Sequence, residues 1–207
     1  MAYAITLWNL CWPILFYGLL TDTASLIFRD LVPLACTLIG AAAATPFLWK
    51  AYKKRGNQTR KLNLTEVLLC IAEGIGGCIL VNTLIKASGI ARVFTGFSEV
   101  SAGLYGPPLW LQVCAMGVGI PIAEELVFRG LVFGRAREDW SFFQSAVLSA
   151  LLFGIYHGNV LQGMYSFFMG ILFAWVMERK KTILAPVFMH MSANLLSVAV
   201  TVIQNTK

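Results

Sequence analysis

Seven apolar stretches dominate the sequence, at residues 4–20, 31–49, 64–87, 109–134, 142–158, 160–177 and 183–203. At 1.5 Å of rise per residue, about 20 apolar residues cover the roughly 30 Å hydrocarbon core of a bilayer. In lipid every backbone N–H and C=O must find its partner inside the protein, so stretches of this kind fold as helices. The expected fold class is all-α: a polytopic membrane helix bundle of about seven transmembrane helices around a polar intramembrane cavity, forming a single integral membrane domain over residues 1–207. An eighth span stays open, because the 88–108 connection, with Gly103, Gly106, Pro107 and Pro108, reads as a loop with room for a short interfacial helix. Composition excludes a water-soluble alternative. Hydrophobic residues make up 58% of the chain and charged residues 13%, and a body of 207 residues cannot hide that much apolar surface.

The positive charges lie between the apolar runs. Lys50, Lys53, Lys54, Arg55, Arg60 and Lys61 follow the second, Arg135 and Arg137 the fourth, and Arg179, Lys180 and Lys181 the sixth. If seven spans alternate, these 11 of the 16 Lys and Arg share one face, which the positive-inside rule makes cytoplasmic. The net charge of +6 is thus a signal of topology in the cell membrane and requires no nucleic acid as partner, although the 50–61 loop could also touch anionic lipid. Trp49, Trp110, Trp140 and Trp175 fall near span ends, where amphipathic rings prefer to sit. No basic stretch precedes the first run and no small-residue cleavage site clearly follows it, so the first span is expected to be retained. The C-terminal residues carry no lipidation cysteine. Cys11, Cys36, Cys70, Cys78 and Cys114 all lie inside apolar segments, without a Cys-x-x-Cys, and read as reduced packing residues.

With hydrocarbon as solvent, the informative residues are the ionisable ones inside the spans. Each costs on the order of 3 kcal/mol at mid-depth, so Glu124, Glu125 and Arg129 in the fourth span would together cost roughly 9 kcal/mol if unpaired. That is comparable to the whole stability of a small domain. Glu125 and Arg129 are four residues apart, share a helix face and can pair. Glu124 is turned about 100° away and needs a different partner or a pocket of water. Pro121 cannot offer an N–H to the carbonyl of Gly117, so a bend or widened turn is expected just before the acids. Irregular backbone of this kind is tolerated in a membrane where it lines a buried or wet cavity.

The chain has two histidines, His157 at the end of the fifth span and His190 within the seventh. Phe153 shares a face with His157, and Asn194 with His190. A single histidine in an apolar helix is commonly a packing residue, but two carboxyls, two imidazoles and a carboxamide spread over three spans recover their burial cost together only if they converge. A carboxylate beside an imidazole can activate water as general base and return the proton to a leaving amine. A second imidazole and a carboxamide can stabilise an oxyanion. No Gly-x-Ser-x-Gly or His-Glu-x-x-His is present, although two histidines and a glutamate from separate helices could in principle bind zinc.

Glu124-Glu125-x-x-x-Arg129, Phe153-x-x-x-His157 and His190-x-x-x-Asn194, in this order on successive spans, resemble the motifs of the CPBP family of intramembrane proteases. That family includes the type II CAAX prenyl endopeptidases and bacterial bacteriocin-processing and immunity-related proteins. The resemblance covers the motif-bearing half, roughly 109–203. It implies that Glu124 and His157 activate the attacking water and that His190 and Asn194 stabilise the oxyanion. It further implies that Glu125 and Arg129 form a supporting ion pair, with Phe153 packing beneath His157. Such proteins have been described both as metalloproteases and as metal-independent glutamate proteases; an asparagine in the cluster and a glutamate used as base fit the second, so no metal and no cofactor are expected. The implied function is an intramembrane endopeptidase acting on a membrane-associated peptide or protein substrate, of CAAX type or other, with or without a lipid. A non-catalytic immunity or assembly factor that binds a partner peptide with the same polar core stays open, as does a proton-coupled transporter, for which internal repeats are missing.

Two details remain as expectations. Glu73, beside Gly74, Gly76 and Gly77 in the third span, is expected to serve helix packing rather than the cavity. With the N-terminus cytoplasmic, His157 falls near the outer end of its span while Glu124 and His190 fall nearer mid-depth; either span five starts later and runs past Gly158, or a span is bent or miscounted, and the irregular region around Gly154, Gly158 and Gly163 favours the shifted boundary.

Overall fold

The computed structural model describes residues 7–56, 59–94 and 96–206, so residues 4–6 of the first expected span and Asn57 and Gln58 of the 50–61 loop lie outside the described residues. The described residues are mostly helical and contain no strand. In chain order the helices are α1 (Leu7–Ile27), α2 (Pro33–Lys54), α3 (Leu64–Ala87), a 3-10 turn (Ile90–Arg92), α4 (Phe97–Tyr105), α5 (Leu109–Asp139), α6 (Phe142–Tyr156), α7 (Val160–Lys180) and α8 (Leu184–Asn205). Six of them, α1, α2, α3, α5, α7 and α8, are long and apolar enough to cross a membrane, and α6 is a shorter apolar helix. The short α4 occupies the connection in which an interfacial helix had room.

Local chemistry sets the ends. Asn63 opens α3 with a reciprocal cap, its side chain accepting from the Glu66 N–H while the Glu66 carboxylate accepts from the Asn63 N–H; Ser141 and Gln144 do the same for α6. The expectation that span five extends past Gly158 is corrected. α6 stops at Tyr156, His157 forms its C-cap, and Gly158 turns the chain at φ 66, a left-handed conformation that a residue with a Cβ adopts at a cost. Asn159 then accepts from the Leu161 and Gln162 N–H groups and starts α7 immediately. α6 and α7 thereby form a tight hairpin whose arms cross at Gly154 and Gly163, where a Cβ on Gly154 would lie 2.7 Å from the Gly163 carbonyl oxygen.

One end of the bundle is a polar belt. Arg55 after α2 pairs with Glu138 at the end of α5, Arg137 reaches Glu178 on α7 at 3.1 Å, Arg60 holds Glu66 at 2.8 Å, and Lys180 lies 3.6 Å from Glu66. The hydrogen bonds that Arg60 donates to the Glu66 carboxylate hold its guanidinium above its ordinary pKa. The three basic segments assigned to one face by charge alone are therefore joined to one another across three helix ends.

α5 is the axis. Two thirds of its apolar window, 67%, is buried within the protein, against 22% for α1 and for α3. Its helix is widened twice into π turns, at Ala115–Gly119 and at Leu126–Phe133. The first falls where Pro121 withholds its N–H, as the sequence anticipates; the second carries no proline. Widening frees carbonyl oxygens, and neighbouring helices supply donors to them: Asn194 on α8 to Met116 at 2.9 Å, Ser149 on α6 to Phe128 at 2.7 Å, and Arg55 to Leu131 at 3.3 Å.

Candidate active site

The two adjacent acids of α5 point to different surroundings, as their helical offset requires. Glu125 is fully buried and does not reach the cavity. Its Oε1 accepts from Arg129 Nη1 at 3.3 Å and from His190 Nδ1 at 2.8 Å. Arg129, also fully buried, lies between two rings, 4.3 Å from the centroid of Phe153 and 5.0 Å from that of Phe173. Room for the guanidinium depends on Gly170, where a Cβ would sit 2.8 Å from Nη2. The ion pair foreseen from the four-residue spacing is thus present, but it has a third member: the same carboxylate holds an imidazole from α8.

That hydrogen bond fixes His190. With Nδ1–H donated to Glu125, Nε2 is turned toward Glu124, whose Oε2 lies 3.8 Å away. Phe173 stacks on the imidazole at 4.9 Å between centroids, and Phe153 meets it edge-on at 5.8 Å. The ring is held by a carboxylate on one edge, by a stacked Phe173 and by an edge-on Phe153, so its other nitrogen has a set direction.

His157 is held differently. Its Nδ1 lies 2.8 Å from the carbonyl oxygen of Phe153, an acceptor only, so Nδ1 carries the proton and donates. Nε2 then has a lone pair, and it lies 3.3 Å from the Ser166 hydroxyl on α7. Phe153 packs edge-on against this ring at 4.8 Å, beneath it as the sequence pattern implies.

Glu124, His157, His190 and Asn194, together with Phe153 and Ser166, line one cavity of about 870 Å³. Of the seven residues singled out from sequence, these five motif residues reach the cavity and two, Glu125 and Arg129, stand behind it. Glu124 and His190 are buried to within 6% of full burial, so the cavity is nearly sealed at its inner end. Glu73 does not line it; its Oε2 is buried within the helix packing. Sequence reasoning missed Ser166, Phe173 and Gln112. Gln112 donates to the carbonyls of Tyr105 and Pro107 at 2.9 and 2.7 Å and ties the end of α4, which lines the cavity, to α5. A polar side chain in an otherwise apolar span was a signal for Ser166 and Gln112; for Phe173, one aromatic among many, there was none.

Among the described residues no group of three His, Cys, Asp or Glu side chains stands placed to hold a metal ion.

These features define a multi-pass integral membrane protein in which the central helix presents a carboxylate, the end of α6 an imidazole, and α8 an imidazole and a carboxamide to one hollow inside the bundle. Comparison with known proteins places the resemblance. Residues 106–196 match the family model described as type II CAAX prenyl endopeptidase Rce1-like, which spans all three motifs. The chain is 32% identical over 123 residues to "Putative membrane peptidase YdiL" of Bacillus subtilis (strain 168), covering 59% of this chain and 48% of that protein. It is 25% identical over 117 residues to "UPF0177 protein YxdF" of Lactococcus lactis subsp. lactis (strain IL1403), covering 56% of this chain and 64% of the other. The matches thus span about half to under two thirds of the length of these relatives. No solved structure matches.

Proposed function

We propose that the protein is an intramembrane endopeptidase that hydrolyses a peptide bond with a water activated by Glu124 and His157. The observation that carries this reading is the convergence of Glu124, His157, His190 and Asn194 on one cavity inside a membrane bundle. The match of residues 106–196 to a peptidase family supports it.

In this reading the residues divide the work by what holds them. His157 has its Nδ1 proton on a main-chain carbonyl, so Nε2 carries a lone pair; the Ser166 hydroxyl meets it at 3.3 Å, and in this reading a water takes the place of that hydroxyl, with Glu124 as the second acceptor and the base. His190 directs Nε2 toward the tetrahedral oxyanion, to which an Nε2–H donates while Nδ1–H stays with the Glu125 carboxylate. Asn194 contributes an amide; one N–H of its NH₂ is occupied by the Met116 carbonyl and the other is available. Glu125 and Arg129 act through His190 and touch no reacting atom. Attack by water, collapse of the tetrahedral intermediate and proton return to the leaving amine then need neither a covalent acyl intermediate nor a metal. The substrate is proposed as a membrane-associated peptide or protein, with or without a lipid.

The test is comparative mapping of peptide termini in membranes from cells carrying the intact protein or Glu124→Gln. A terminus present with the first and absent with the second is the expected result. Identical termini at equal protein levels would overturn the reading. A proteolytic rate on the identified substrate that is unchanged in strong chelator is expected as well; loss of activity on chelation with recovery on adding zinc contradicts the metal-free course.

A further inference from the structure

The cavity differs along its depth. Its inner end carries Glu124, His157 and His190, while its exposed lining residues are Asp22, Pro33, Asn82, Lys86, Ala91 and Gly103. All six lie at the end of the bundle remote from the polar belt: near the end of α1, at the start of α2, in the last turns of α3, in the 3-10 turn and on α4. The belt end of the bundle presents no exposed residue to this cavity among the described residues.

The two ends also differ in charge. The belt end carries eleven Lys and Arg against four Asp and Glu, namely Glu66, Glu138, Asp139 and Glu178. At the other end, among the described residues, Arg29, Lys86 and Arg92 are balanced by Asp22, Asp30 and Glu99. Cytoplasmic loops hold the excess of Lys and Arg in membrane proteins, so the belt is the cytoplasmic end. α6 supplies the depth. It leaves the belt end at Phe142 and turns back after 15 residues, which at 1.5 Å each is about 22 Å, short of the roughly 30 Å of hydrocarbon. His157, at its tip, therefore lies in the outer half of the bilayer, and the missing last turns of α6 leave space above it that the cavity occupies.

We infer that the cavity opens to the extracytoplasmic face, and that its substrate is a peptide segment presented at the outer surface of the membrane rather than one on the cytoplasmic side. The word substrate rests on the proteolytic reading; the side of the opening does not. The short helix, the charge-neutral rim and the position of the exposed lining residues each point to the same side.

Water access from each side tests this without reference to catalysis. Single cysteines are introduced by Gln162→Cys, on the cavity wall, Gly103→Cys, on its rim, and Lys61→Cys, on the belt. The full-length protein, with its five native cysteines changed to Ala, is probed with a membrane-impermeant maleimide. In intact cells the Gln162→Cys and Gly103→Cys proteins are expected to label at least tenfold more strongly than Lys61→Cys, and in inverted vesicles the order reverses. If the cysteine-free protein fails to fold, the same three changes are made with native cysteines retained and the parent signal subtracted. Labelling of Gln162→Cys from the cytoplasmic side alone, or from neither side while Gly103→Cys labels, overturns the inference. Labelling as expected in a protein whose Glu124→Gln variant leaves every peptide terminus unchanged retains the opening and removes proteolysis.

Discussion

α5 and the helices at the edge of the bundle, α1 and α3, are made from similar residues but meet different solvents. α1 and α3 bury 22% of their apolar windows and turn side chains such as Leu19, Leu68 and Leu80 outward. α5 buries 67% and carries Glu124, Glu125 and Arg129 in its interior. Ionisable groups sit where protein rather than lipid surrounds them, because only there can a second side chain recover the cost of leaving water. The backbone follows the same division: the long π segments fall in the helix whose neighbours can supply Asn194, Ser149 and Arg55 as donors.

Four substitutions sharpen this contrast, in order of decreasing effect on stability. Arg129→Met strands the Glu125 carboxylate beside His190 and is expected to cost about 3–5 kcal/mol, read as a lower melting temperature in detergent. A melting temperature within error of wild type would mean that the pair is not fixed as described. Gly170→Val pushes a side chain into the guanidinium and into Ala150, with an expected loss of about 2–3 kcal/mol by the same measurement. Ser149→Ala removes the hydroxyl that serves the Phe128 carbonyl in the second π segment, at about 1 kcal/mol, and amide exchange should rise there first. Leu80→Ala, on the outward face of α3, is expected to change stability by less than about 0.5 kcal/mol; a large loss there would show that α3 is covered by another protein rather than by lipid.

The contrast also explains what could be read in advance. Long apolar runs and the placement of Lys and Arg determine the number of helices and the shared end of their basic loops, because both follow from transfer between water and hydrocarbon. The Glu125–Arg129 pair follows from helical spacing, and the widened turn before the acids from the N–H that Pro121 lacks. The second π segment has no such mark, since it depends on donors from Ser149 and Arg55, distant in sequence. The early end of α6 was available in Gly158, but the weight of a continuous apolar run favoured a longer helix. That His190 is held by Glu125 and faces Glu124 could not be read at all; it needs the relative placement of α5 and α8.

The central claim is that two adjacent carboxylates have separate tasks, Glu124 facing the hollow as base and Glu125 holding Arg129 and His190 behind it. Cleavage rate and melting temperature measured side by side for purified Glu124→Gln and Glu125→Gln, on the peptide identified by terminus mapping, test it most directly. Glu124→Gln is expected to lose at least about 100-fold in rate with its melting temperature unchanged, the scale of a removed general base, while Glu125→Gln loses stability by about 3 kcal/mol or more, the scale of a broken buried pair. Full activity in Glu124→Gln, or equal losses of stability in both, would contradict the division.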